Sequence, residues 1–238
     1  MEKRRKTGRP LPVYALIIGI GFVLLQGLLY GLALFLSRLI GTSSLMFSPK
    51  IPIIDDLFPI IPSFVLVYLF SFAFWSFGTA AVSYTGKHNF INYLIGLTLS
   101  YYLTFLVLLT FPTYIDRNAE GLSLFASRSD PFSRLLTFVY GVDGGNFGYN
   151  LLPSYHCLSS VYCYLGVRKH PEIPVGFRIY TLIMSVLICF STLFTKQHYF
   201  LDVISATAIA ILCFAAVSKL DPGKTILEKQ VSKKAQIQ

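Results

Sequence analysis

Apolar residues in this chain come in long unbroken stretches, not in the alternation of half-buried strands or the three-to-four spacing of surface helices. Residues 13–36, 63–84, 91–111 and 199–217 each hold enough apolar side chains to cross a hydrocarbon core, whose roughly 30 Å takes about 20 helical residues. Two shorter runs, 151–167 and 179–194, complete a set of six predicted spans, their flanking residues reaching the interface. No water is available at that depth to satisfy peptide groups, so the runs are predicted to be helices. Pro62, Pro153 and Pro174 stand at or near run starts, where a missing amide hydrogen costs little. The first run, 24 residues long, exceeds the roughly 7–15 residues of a signal-peptide core and shows no clear cleavage site, so it is read as a retained span. The expected fold class is therefore all-α, a polytopic membrane helical bundle of about six transmembrane helices over residues 13–218, with a basic tail at 1–12 and a polar tail at 219–238.

Composition supports that reading. The chain is 54% hydrophobic and only 13% charged, against about 25% charged residues in soluble domains. With the N-terminus inside, the inner segments collect Lys3, Arg4, Arg5, Lys6, Arg9, Lys87, Arg168, Lys169, Arg178, Lys219, Lys224, Lys229, Lys233 and Lys234. The outer segments keep Arg38, Lys50, Arg117, Arg128, Arg134 and Lys196. Fourteen basic residues against six favour an orientation with both termini inside. The net charge of +9 is thereby read as topogenic, facing anionic lipid. No nucleic-acid partner is expected, because the charge sits on short tails and not on one basic domain. The lipid bilayer is the expected partner, and the oligomeric state is left open. Cys157, Cys163, Cys189 and Cys213 all fall in apolar runs, match no zinc spacing, and are read as buried small hydrophobes with no disulfide framework.

Ionisable residues within spans are costly, and so are functional candidates by default. The six runs contain just two, His156 and Asp202, and His198 lies one position outside the last run. Runs four and six travel from outside to inside, which puts all three near one membrane face; run three delivers Arg117 to the same rim. His198 and Asp202 are four apart, a spacing that on a helix places both on one face. The carboxylate can then hold one imidazole nitrogen as N–H and leave the other with its lone pair. His156, from a different helix, is the candidate acid for a leaving group. Arg117 and Lys196 are cations suited to phosphate oxygens. Singly, each of these residues also fits a plainer role: an interhelical hydrogen bond for His156, an interfacial anchor for the cations. The outer segment, residues 112–150, contains the flexible turn Asp143-Gly144-Gly145-Asn146, and Asn150 stands shortly before Pro153 and Ser154. Two His and one carboxylate also resemble a facial metal triad, but no further carboxylate is close in sequence and the cations would repel a metal; no metal and no cofactor are expected.

At these residues the chain resembles the membrane branch of the type 2 phosphatidic acid phosphatase superfamily, which shares its site with vanadium haloperoxidases. That family's second motif is Pro-Ser-Gly-His, where this chain has Pro153-Ser154-Tyr155-His156. Its third is Ser-Arg, five residues, His, three residues, Asp; here Ser191-Thr192 precedes His198 and Asp202 at that spacing. Its first, Lys, six residues, Arg-Pro, is matched only by Thr110 through Arg117-Asn118. The resemblance covers roughly residues 91–217. It implies that His198 attacks phosphorus to form a phosphohistidine, that Asp202 orients it, and that His156 protonates the departing alkoxide. It also implies that Ser154 and the backbone at Tyr155 bind equatorial oxygens, with Arg117 and Lys196 adding charge. The substrate implied is a membrane lipid phosphate or diphosphate, hydrolysed at the outer face of a plasma membrane of bacterial type. Thr110 and Thr192 replace two family cations and Tyr155 replaces a glycine, changes more like the branch that includes inositol-phosphoceramide-type headgroup phosphotransferases. A transfer enzyme of the same mechanism, a proton-coupled transporter and an inactive scaffold of the same fold are the alternatives. A carrier fits less well, because the ionisable groups lie at one rim and no inverted repeat is visible.

Overall fold

A computed structural model of the protein describes residues 12–121 and 128–235; the basic tail foreseen at 1–12 lies outside them except for Pro12. The chain folds as an all-α bundle in which five helices are long and apolar enough to cross a membrane. Four of these runs begin as α1 (Val13–Leu39), α3 (Val65–Val82, entered through a 3-10 turn at Pro62), α4 (Lys87–Thr110) and α7 (Val175–Phe194). The fifth is α8 (Phe200–Leu220), which after a left-handed residue at Asp221 continues as α9 (Pro222–Ala235). The polar tail is thus helical as far as Ala235. A single turn α2 (Pro52–Asp55) and an amphipathic helix α5 (Pro131–Val142) decorate one end of the bundle.

The run at 151–167 differs from expectation. Residues 151–154 are not helical, and α6 (Tyr155–Val167) has 13 residues, about 20 Å of rise. It is shorter than a bilayer core because it does not face lipid. Eleven of its residues are buried, surrounded by α3, α4, α7 and α8. A helix enclosed by protein need not match the hydrocarbon thickness that lipid-facing helices must.

Close approach of small residues packs the bundle, as expected where lipid offers no hydrophobic drive between helices. A Cβ on Gly19 of α1 would lie 2.7 Å from the carbonyl oxygen of Ser76 in α3, and one on Gly166 of α6 would lie 2.7 Å from the Tyr93 ring of α4. One end of the bundle is tied by polar bonds that knit the site region: Thr42 Oγ1 to Leu109 O at 2.8 Å, Ile61 N to Phe194 O at 2.9 Å and Ser154 N to Asp202 O at 3.2 Å. At the opposite end Asp221 accepts from Asn92 Nδ2 at 2.8 Å and pairs with His88. That opposite end also carries Lys87, Arg168, Lys169, Arg178 and Lys219.

Between α4 and α6 the chain forms an antiparallel hairpin, β1 (Tyr114–Asp116) with β2 (Phe147–Tyr149), placing Ile115 opposite Gly148. Glycine is required there: a Cβ would come within 2.6 Å of Arg117 Nη2. The hairpin thus brings Arg117 inward beneath its own turn.

Candidate active site

The two histidines meet. His156, in the first turn of α6, and His198, in the loop between α7 and α8, have ring centroids 6.3 Å apart. Both line one cavity of about 450 Å³, together with Tyr155, Gln197, Asp143 and Asn150 on its polar side. His156 is held by aromatic packing. Its ring stacks on Tyr68 at 4.2 Å and meets the edges of Trp75 and Phe72 at 5.0 and 5.5 Å. Its Nε2 is buried with no hydrogen-bond partner among the described residues.

His198 and Asp202 pair, though not along a helix face. The helix α8 starts only at Phe200, so Asp202 is its third residue and folds back over the start. Its Oδ2 accepts from the Tyr199 amide at 2.8 Å and lies 3.3 Å from His198 Nδ1. Capping thus fixes the carboxylate, and the carboxylate fixes which imidazole nitrogen keeps its proton. Burial favours the neutral ring, but the hydrogen bond and charge of Asp202 outweigh it, so the His198 pKa is raised above the ordinary 6.5. The ring is placed from behind as well, because Thr192 O accepts from both the Gln197 and the His198 amides, at 3.0 and 3.1 Å.

Neither expected cation touches the cavity. Arg117, 1% exposed, stands one layer behind it, with Tyr140 under its guanidinium at 4.6 Å. Its Nη1 donates to the carbonyls of Asp143 and Gly145, and its Nη2 to the Asp143 carboxylate and to Gln197 Oε1 at 2.8 Å. The consequence falls on Gln197. With its carbonyl oxygen taken by Arg117, its amide Nε2 is left buried and unpartnered in a side chain that lines the cavity. Lys196, at φ 47°, turns the other way, with Nζ 3.0 Å from Asp55 O and 3.2 Å from Glu120 Oε2. The Ser154 hydroxyl caps α6 by accepting from the Cys157 amide at 3.4 Å. Thr110 is exposed on the last turn of α4 and bonds its own helix.

The Lys196 side forms a closed ionic cluster. Glu120 receives Lys50 at 2.7 Å, Lys196 and the Tyr199 hydroxyl at 3.0 Å, while Asp55 Oδ1 accepts the Phe200 amide at 2.7 Å. Burial raises the Glu120 pKa, but the Lys50 hydrogen bond and the Lys196 charge prevail, leaving it below the ordinary 4.5.

Screening the sequence for ionisable residues missed four cavity-lining groups: Gln197, Gln26, Tyr30 and Tyr68. A glutamine beside the catalytic-type histidine was the available signal for Gln197. Asn150, noted only for its position, has Nδ2 on Tyr30 O at 3.0 Å and a buried, unpartnered Oδ1. Among the described residues no group of three or more His, Cys, Asp or Glu side chains is arranged to hold a metal. A histidine backed by a carboxylate, a second histidine facing it and an unpaired amide in a side chain lining the same cavity can perform nucleophilic transfer of a tetrahedral anion.

A family model described as the PAP2 superfamily matches residues 62–216. No curated protein and no solved structure gives a match.

Proposed function

The chain belongs to the PAP2 superfamily and is an integral-membrane protein of phosphatase type, and we propose that it transfers the phosphoryl group of a lipid phosphate or diphosphate through a phosphohistidine. The observation that carries this reading is the 6.3 Å approach of two imidazoles from separate elements, one of them backed by a carboxylate. In the first step the His198 Nε2 lone pair forms the N–P bond. The P–O bond to the lipid breaks, and its electron pair leaves with the lipid oxygen, which takes a proton from His156 Nε2. In the second step water attacks phosphorus, His156 takes the proton back, and the N–P electrons return to His198. Splitting one displacement in two lowers the highest barrier.

Charge on the equatorial oxygens is met by the Gln197 amide and by the first-turn amides of α6 at Tyr155 and His156, where the helix dipole is positive. Phosphoryl transfer is accelerated chiefly by such fixed donors, which stabilise the charge spread over those oxygens. The basic residues gathered at the opposite end support a site on the outer face. Thr110 and Thr192, at positions where the family has cations, favour a second reading in which a lipid alcohol, and not water, accepts the phosphoryl group.

The test is to trap the intermediate. Quenching purified protein in alkaline detergent after exposure to dioleoyl phosphatidic acid labelled in phosphorus should yield a base-stable, acid-labile phosphoprotein that is absent in His198→Ala. Adding diacylglycerol before the quench separates transfer, which returns the label to lipid, from hydrolysis, which releases it as phosphate. Full turnover by His198→Ala sinks the mechanism.

A further inference from the structure

Beneath the two histidines the cavity meets a polar group that the two-step transfer does not use. Gln26 lies in the inward stripe of α1 with Ala15, Gly19 and Ala33, and is 6% exposed. A buried amide in a membrane span is costly unless both of its ends are paired. Only one end is. Its Oε1 accepts from the Ser159 hydroxyl of α6 at 3.0 Å and from the Tyr101 hydroxyl of α4 at 3.2 Å, and those two hydroxyl oxygens are 2.8 Å apart. Side chains of three helices thus meet at one carbonyl oxygen. The amide end, Nε2, donates to nothing among the described residues, in a side chain that lines the cavity.

The depth of this donor follows from the helices that hold it. Ser159 is three residues beyond His156 on α6, about 4.5 Å of rise, and further from the rim. At the rim itself Tyr30, one turn above Gln26 on α1, donates to Tyr149 O at 2.8 Å. The cavity is therefore lined by two glutamines at different levels, Gln197 beside the histidines and Gln26 about one turn beneath them. Each has its oxygen taken and its amide hydrogens unspent. With a phosphate at the upper level, the acceptor for the lower amide must belong to the body of the lipid. Acylglycerol phosphates carry such an atom, because their ester carbonyl oxygens hang a few bonds from the phosphate. An isoprenyl phosphate has only carbon at that place, and an ether-linked lipid has no carbonyl.

We infer that Gln26 is a specificity-determining residue, its Nε2 donating to an ester carbonyl oxygen of the substrate, so that the chain selects acylglycerol phosphates over ether-linked and isoprenyl ones. The place of the phosphate rests on the proposed function, whereas the carbonyl contact has a readout of its own. Helix α1 lies wholly outside the matched segment, 62–216, so this selection is made by a helix that the family match does not cover.

The experiment compares dioleoyl phosphatidic acid with its dioleyl ether analogue, which keeps the chains and the phosphate and lacks both carbonyl oxygens. In the wild type kcat/KM for the ester should exceed that for the ether by about fivefold or more, the worth of one buried neutral hydrogen bond. Gln26→Met keeps the length of the side chain and removes the amide, and should bring the ratio to about one through loss on the ester. Gln26→Asn withdraws the amide by one methylene while keeping a polar group for Ser159 and Tyr101, and should do the same. A wild-type ratio near one, or a ratio that both variants preserve, overturns the assignment. Thermal unfolding gives the second readout, because a lipid bound to the folded state raises the melting temperature. The ester should raise that of wild type more than the ether does, and the difference should vanish in Gln26→Met; equal shifts in the wild type overturn the contact. A wild type stabilised selectively by the ester that forms no phosphoenzyme leaves the contact standing and removes the catalytic reading. Phosphoenzyme formed equally well from both lipids does the reverse.

Discussion

His198 has a cation on either side of it, and the two are used in opposite ways. On the Lys196 side every polar group is closed upon another: Lys196 on Glu120 and Asp55, Glu120 on Lys50 and Tyr199, Asp55 on the start of α8. On the Arg117 side the network is left open. Arg117 is saturated through its Nη groups, yet the cavity beside it is lined by residues whose Gln197 Nε2, His156 Nε2 and Asn150 Oδ1 are buried without partners among the described residues. Buried polar groups are normally satisfied, and one left unmade costs about 1–3 kcal/mol. Three such groups belong to residues lining a single cavity, where the polar atoms of an occupant would satisfy them. The adjacent residues Lys196 and Gln197 thus divide the loop into a strut and a site.

The largest loss is expected at Arg117. If its charge acts through Gln197, Arg117→Lys should lower kcat/KM by about 10²-fold, since a point charge cannot hold two carbonyls, a carboxylate and an amide oxygen together. Gln197→Ala should fall by a similar factor. The double variant should be no worse than the lower of the two single variants, because both remove one unit. Multiplicative losses in steady-state kinetics would mean that Arg117 meets the phosphate directly.

Asp202 comes next. A nucleophilic imidazole must be neutral, and Asp202 holds the His198 pKa above 6.5. Activity should therefore be lost as pH falls, with the rising limb of kcat/KM centred above 6.5 in the wild type. Asp202→Asn removes the effect that raises the pKa, so the limb should move to lower pH while the plateau drops about tenfold as the ring loses its orientation. A pH–rate profile with an unmoved limb would detach Asp202 from His198.

How much of this could be read in advance depended on the kind of residue. Long apolar runs specify helices because lipid permits little else, so α1, α3, α4, α7 and α8 were legible. The enclosed α6 was legible as apolar but not in length, since only the fold shows that protein and not lipid surrounds it. His156, His198 and Asp202 were legible because ionisable groups are rare in such runs. The spacing of His198 and Asp202 suggested a shared helix face; the structure reaches the same contact through the start of α8. Directions were not legible. Lys196 turns toward Glu120 because of a left-handed backbone at one residue, and no composition or spacing foretells that. Gln197 escaped notice because an uncharged amide stands out only when its oxygen is seen to be taken.

The smallest catalytic effect is expected at the strut. Lys196→Met keeps the length and the apolar stem of the side chain but removes the ammonium that Glu120 and the Asp55 carbonyl share. Glu120 retains Lys50 and the Tyr199 hydroxyl, so the loss is that of a partial satisfaction, about 1–3 kcal/mol of stability. Glu120 is also held below its ordinary pKa, so its contribution is present above about pH 4.5 and disappears as pH falls through the lower native value. The stability gap between Lys196→Met and wild type should accordingly narrow in acid, where Glu120 is protonated in both. Catalysis is a separate matter. Since Lys196 does not line the cavity, kcat/KM per folded molecule should stay within about threefold of wild type, as expected for a group outside the reacting shell. Adding Glu120→Gln to Lys196→Met should recover part of the stability by removing the carboxylate left underpaired. Were Lys196→Met instead to unfold like wild type and lose activity a hundredfold, the ammonium would have to reach the phosphate, and strut and site would be one.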